Sequence, residues 1–174
     1  CGNFKIRSEV LNIDSLNRVH FIGIGGIGMS ALAKFFLFRN IEVSGYDKVF
    51  SSITKSLSKD GANIIYEDDI SLIKSKDEID LVVYTPAIPP DNRQLDYFSS
   101  SRIPFHKRAY ILGQITKSYN TIAVAGTHGK TTTSSIIAHI LQYNKLGGVS
   151  FLGGISTNYN SNILLQDGNN AVVE

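Results

Sequence analysis

Two glycine-rich turns, each set between an apolar run and a helical pattern, constrain this 174-residue sequence most. The first lies in "RVHFIGIGGIGMSALAKFF" (residues 18–36), the second in "TIAVAGTHGKTTTSSIIAHIL" (residues 121–141). A buried strand that ends in glycines and feeds a helix is the opening of a βα unit. The helix start then presents unpaired N–H groups and the positive end of its dipole, which together suit a phosphate. The chain therefore predicts an α/β fold with two anion-holding turns about a hundred residues apart.

The remaining pattern keeps the alternation. "IEVSGYD", "ANIIY" and "IDLVVYT" read as strands, and "SSITKSLSKDG" as a helix with Ser51 or Ser52 as N-cap and Gly61 in its C-terminal turn. "PAIPPDNRQL" reads as a turn, because its prolines exclude helix and strand interiors alike. After the short segment "IPFH", residues 108–117 are amphipathic, and the polar stretch "TKSYN" is a candidate linker. A helix over Lys130–Tyr143 and two strands, in "GGVSFLGG" and "NNAVVE", complete the reading. Strands alternating with helices imply a mostly parallel sheet covered on both faces. The expected organisation is a Rossmann-like parallel-sheet domain over residues 1–118, then the beginning of a P-loop α/β domain over 119–174. About three strands in the second unit are fewer than a sheet usually needs, so a longer protein is expected.

Composition narrows the partners. Lys and Arg are scattered and the net charge is only +2, which predicts no nucleic-acid partner. No apolar run approaches the length of a membrane span. "CGNFKIRSEVLNIDS" carries no signal-peptide core, and the lone Cys1 has no internal disulfide partner, so a cytoplasmic protein is expected. The oligomeric state stays open.

In the first turn, Gly23, Gly25 and Gly28 match G-x-G-x-x-G. Gly23 makes the tight turn, Gly25 and Gly26 let the backbone approach a diphosphate, and Gly28 lets the helix pack on the strand. Asp47 ends the next strand, where a carboxylate can bond ribose hydroxyls. These features alone fit a nicotinamide cofactor as well as another nucleotide diphosphate.

In the second turn, Gly126 precedes Gly129 by three residues, closer than the usual phosphate loop allows. The two glycines let successive N–H groups face phosphate oxygens, Lys130 adds a cation near the β- and γ-phosphates, and Thr131 can ligate Mg²⁺. Thr132 adds a donor. His128 serves the loop through its backbone. His20 and His139 fit structural roles, and His106, beside Lys107 and Arg108, is a candidate ligand contact.

"HFIGIGGIGMSALA", "VVYTPAIPPDN", "IPFHKRAYILGQI", "VAGTHGKTTT", "FLGGI" and "VVE" together resemble the Mur ligases, in the family's order over nearly the whole chain. The family's ATP loop, G-T-x-G-K-T-T, explains the displaced glycine. The I-G-I-G-G-I-G-M-S form is similar to the member that adds L-alanine. The resemblance implies an ATP-dependent ligase of three domains, of which this chain covers the first and the start of the second. Its reaction joins L-alanine to the carboxylate of UDP-N-acetylmuramate through an acyl phosphate, with ATP and Mg²⁺, in peptidoglycan precursor synthesis. This portion alone is expected to be inactive.

The resemblance also implies site residues. Gly23, Gly25, Gly26, Ile27, Gly28, Met29 and Ser30 would hold the UDP diphosphate. Asp47 would lie near the ribose or uracil, Ala87 and Ile88 would line that pocket, and Arg108 would face the substrate. Gly126, Thr127, His128, Gly129, Lys130, Thr131 and Thr132 would hold ATP. Thr131 and Glu174 would be metal ligands and, with Lys130, the catalytic set; by spacing alone Glu174 is only a strand-end carboxylate. Gly153, Gly154 and Asn158 would border the muramate. The alternatives are a nicotinamide-dependent oxidoreductase, which leaves the second turn idle, and a relative that recycles a tripeptide onto the same sugar nucleotide.

Overall fold

A computed structural model describes residues 12–174; Cys1 and the rest of segment 1–11 lie outside the described residues. Five strands form the first sheet: β1 (Arg18–Ile22), β2 (Glu42–Tyr46), β3 (Asn63–Ile65), β4 (Leu81–Tyr84) and β5 (Phe105–Lys107). They are all parallel, in the order β3-β2-β1-β4-β5. The chain runs outward from β1 through β2 to β3, then returns to start the other half at β4. Ligand crevices of open α/β sheets form where the order reverses in this way, beyond the strand carboxyl ends. The first glycine turn leaves β1 at that point.

Four strands form the second sheet: β6 (Asn120–Ala123), β7 (Gly148–Ser156), β8 (Ser161–Leu165) and β9 (Asn170–Val173), in the order β6-β9-β7-β8. β6, β9 and β7 run parallel, while β8 pairs antiparallel with β7 at the edge. Among the described residues five α-helices accompany the sheets: α1 (Ile27–Phe38), α2 (Ser52–Lys59), α3 (Arg93–Ser100), α4 (Arg108–Thr116) and α5 (Lys130–Tyr143). Among the described residues no helix is long and apolar enough to cross a membrane.

The sequence reading places most of these elements, and α5 with its bounds. Ser51 caps α2 in a reciprocal box with Thr54, and Gly61 takes a left-handed φ of +107° at its end. Two elements differ. α3 begins inside the stretch read as a turn, because Asn92 accepts from the Leu95 N–H at 2.9 Å and Asp68 accepts from Arg93 and Gln94. The prolines only precede the helix, where they do no harm. β8 makes the second sheet four-stranded rather than three.

α1 determines how the sheets meet. Met29, Ser30, Ala31, Leu32, Ala33, Phe35 and Phe36 are all buried, so the helix is covered nearly all round. Phe36 meets Phe21 of β1 at a ring separation of 6.0 Å, and Phe35 meets Phe151 of β7 at 5.9 Å. One apolar core accordingly runs from Val19, Leu81 and Val83 through α1 to Val149, Ile163 and Ala171. Gly45 in β2 admits the Ile24 side chain, whose Cδ1 would lie 2.6 Å from an added Cβ.

His20 is a buried polar exception in β1. Its Nε2 donates to Gln94 Oε1 at 2.9 Å, and its Nδ1 accepts from Ser44 Oγ at 2.8 Å, which ties β1 to β2 and α3. Burial pushes the imidazole pKa down to about 4, from an ordinary 6.5. The unfolded chain therefore takes up a proton that the folded chain refuses. The stability is present above pH 6.5 and is lost as pH falls from 6.5 towards 4, a change of roughly 3 kcal/mol. In urea unfolding across this window, His20→Gln, which keeps a donor and an acceptor but cannot titrate, should show a slope shallower by about one proton. Equal slopes would contradict this account.

Candidate active site

The first turn is stitched to its sheet. Gly23 has a φ of +86°, a left-handed value that favours glycine. The N–H groups of Gly23 and Ile24 both donate to the Tyr46 carbonyl, at 2.8 and 3.0 Å. A Cβ on Gly23 would lie 2.8 Å from Thr85 and 3.0 Å from Ile88, so the β4–α3 loop rests on the turn. Ala87 beside it is exposed.

The neighbours of these glycines show what each makes room for. The Gly25 N–H donates to Asp47 Oδ2 at 2.7 Å, and a Cβ there would meet Asp47 and Thr54. The missing side chain of Gly25 thus makes room for the protein's own carboxylate. Asp47 Oδ1 also accepts from the Val49 N–H at 3.0 Å, so Asp47 braces both loops. Gly28 lies inside α1 and does not ease packing on a strand; a Cβ there would be 2.7 Å from Arg108 Nη1. Its smallness admits the guanidinium. The Ser30 N–H donates to the Gly26 carbonyl at 2.8 Å and its hydroxyl to the Ile27 carbonyl at 2.8 Å. Gly26 is the N-cap and has no side chain to close the helix, and Ile27 is exposed beside it. The outward N–H groups are then those of Ile27, Gly28 and Met29, since the first turn of a helix has no internal acceptors for them.

The second turn is built the same way. Gly129, at φ +76°, caps α5 without a side chain, so the N–H groups of Lys130, Thr131 and Thr132 open outward. Lys130 Nζ folds back on the Gly126 carbonyl at 2.8 Å. Thr127 and His128 are exposed in the loop. The parallel pairing of β6 with β9 brings Glu174 beside the start of α5. Thr131 Oγ1 donates to Glu174 Oε1 at 2.8 Å, and Ser134 Oγ donates to Glu174 Oε2 at 2.7 Å. Ser134 is fully buried and was not anticipated. Its signal was available: a hydroxyl three residues after Thr131 lies on the same helix face. Gly153 on β7 faces the same carboxylate, which occupies the place a Cβ would take.

The two turns open on one cleft of about 270 Å³. Gly28 and Arg108 line it from one side, and Lys130, Gly153 and Glu174 from the other. Two cations and one carboxylate therefore share a space fed by two helix N-termini. The Thr131 hydroxyl and Glu174 carboxylate are the hard oxygen donors that Mg²⁺ takes, and Mg²⁺ usually completes its shell from phosphate and water. No cluster of three His, Cys, Asp or Glu side chains suits a metal among the described residues. The donor set fits a phosphate-bound ion.

The other candidates are dispersed. His106 stacks on Tyr110 at 4.4 Å, its pKa lowered by burial. His139 bonds the Tyr159 hydroxyl at 2.5 Å. Asn158 lies with His139 in a second groove that Thr131 and Thr132 also line, and Gly154 packs near Thr131.

Comparison with known proteins accords with this geometry. Residues 18–120 match the Mur ligase family, catalytic domain, and residues 124–172 match the Mur ligase middle domain. The chain belongs to the Mur ligase family. It is 50% identical over 161 residues to a UDP-N-acetylmuramate–L-alanine ligase of Parabacteroides distasonis, covering 90% of this chain and 35% of the relative. The ligase of the same name from Porphyromonas gingivalis (strain ATCC 33277) is 48% identical, with 91% and 35% covered. The crystal structure of UDP-N-acetylmuramate-alanine ligase MurC from Thermotoga maritima superposes with a TM-score of 0.80 at 31% identity, over 90% of this chain and 36% of that one. The chain spans about a third of the length of the curated relatives it matches.

Glu174 depends on the gap at Gly153. If Thr131 and Glu174 hold a phosphate-bound Mg²⁺, Gly153→Ala should push the carboxylate off Thr131 and lower Mg²⁺-dependent ATP affinity of the whole protein by about tenfold to a hundredfold, with the circular dichroism spectrum unchanged. Titration calorimetry with and without Mg²⁺ measures this. An affinity within twofold of the parent would refute the role given to that gap.

Proposed function

We propose that this chain is part of an ATP-dependent ligase that joins L-alanine to the carboxylate of UDP-N-acetylmuramate. The shared cleft carries the proposal: both glycine turns open on it, as a sugar nucleotide and ATP meeting at one reacting carboxylate would require. In this reading residues 1–118 form the substrate domain and residues 119–174 begin the ATP domain. The enzyme works in the cytoplasm on peptidoglycan precursors.

The chemistry follows from charge. A carboxylate must attack the γ-phosphorus of ATP, so two anions meet, and neutralising them is the main catalytic need. The N–H groups opening α1 hold the UDP diphosphate, with Arg108 beside them across Gly28. The N–H groups opening α5 hold the ATP phosphates, and Lys130, released from the Gly126 carbonyl, turns to the γ-phosphate. Thr131 and Glu174 would hold Mg²⁺, which neutralises phosphate charge when bound. Ser134 keeps the Glu174 carboxylate aimed at Thr131. One carboxylate oxygen bonds to phosphorus and ADP leaves. The alanine amine then attacks the carbonyl of the acyl phosphate, loses a proton, and phosphate departs.

Two alternatives are less well supported. A nicotinamide-dependent oxidoreductase has no use for Lys130, Thr131, Ser134 and Glu174. A tripeptide ligase acting on the same sugar nucleotide has less support, since the relatives at 48–50% identity carry L-alanine in their names.

The test is phosphate release by the whole enzyme, expected only when UDP-N-acetylmuramate, L-alanine and ATP are all present. Release that ignores L-alanine sinks the proposal. Lys130→Ala should lower turnover by about 10²–10³-fold while UDP-N-acetylmuramate affinity stays within about twofold.

A further inference from the structure

The opening turn of α1 is held from outside its own sheet. Asn162 sits on β8, the edge strand of the second sheet, and is only 5% exposed. Its Nδ2 donates to the Ile27 carbonyl and, at 3.0 Å, to Ser30 Oγ. Ser30 Oγ donates in turn to the Ile27 carbonyl at 2.8 Å. Both amide protons of Asn162 thus have acceptors in the first turn of a helix that belongs to the other sheet.

Adhesion does not require this amide. Phe35 already meets Phe151, and Ile163 beside Asn162 joins the common apolar core. Burying an amide is costly unless its hydrogen bonds are made, so a polar side chain here brings orientation rather than extra cohesion. What it orients follows from peptide geometry. The Ile27 carbonyl and the Gly28 N–H belong to one planar unit, so anchoring the oxygen fixes the direction of the N–H. A donor on the oxygen also polarises that N–H for an anion.

We infer that Asn162 is a positioning residue for the sugar-nucleotide site, holding the Ile27–Gly28 peptide so that the Gly28 N–H faces the diphosphate. The inference rests on the proposed function. Sequence reasoning had no access to it, because Asn162 lies 135 residues from Ile27.

Asn162→Leu in the whole enzyme removes the donors at similar volume. The KM for UDP-N-acetylmuramate should rise about tenfold, while kcat and the KM for ATP stay within about twofold. The Gly28 amide proton resonance of the ligand-free protein should move as well. Ser30→Ala, a milder change that removes one of the two acceptors, should raise the same KM about threefold. An unchanged UDP-N-acetylmuramate KM in both variants overturns the inference. So does a parallel rise in both KM values with a lower Tm, which marks a packing role alone. A parent enzyme that does not use UDP-N-acetylmuramate defeats the proposed function first, and this inference with it.

Discussion

The arrangement depends on α1 being buried on two sides. A helix that faces solvent can tilt to suit its ligand; one wedged between β1 and β7 by Phe36 and Phe35 cannot. Its N-terminus is then a fixed point from which the first turn, Arg108 and the cleft are all measured. The second sheet inherits the same reference, because Phe151 and Gly153 lie on one strand. Phe151 packs on α1 and Gly153 accommodates Glu174, so core packing and site geometry share β7.

In the proposed reading both turns hold anions mainly through backbone donors. Each helix starts at a glycine with no capping side chain, which leaves backbone donors outward. The carboxylates nearby are already engaged. Asp47 is held by Gly25 and Val49, and Glu174 by Thr131 and Ser134. A carboxylate held by donors does not swing into a neighbouring phosphate site, so the cleft keeps its positive character beside acidic groups.

Much of this was legible in the sequence, because the informative signals were local. Strand-glycine-helix order, the Ser51 cap and the bounds of α5 depend on neighbours within a few residues. The misses have local causes too. Prolines at 86, 89 and 90 masked α3, although Asn92 was a good cap in view. β8, in "NYNSNILLQ", is short and flanked by asparagines that read as loop. What no local pattern carries is the use of space across the chain. Gly25 serves Asp47, Gly28 serves Arg108 and Gly153 serves Glu174, and each pair is set by tertiary contact. A glycine motif announces that room is needed without saying for whom.

The common core has a bearing on how this architecture can be recombined. Exchanging residues 18–117 between two family members would transplant one half of an interface whose other half is Phe151, Asn162 and Ile163. A workable crossover would have to carry β7 and β8 along with α1, even though residues 117–119 join the sheets as a short and convenient seam. The natural unit of exchange is therefore defined by a buried surface and not by the order of the chain.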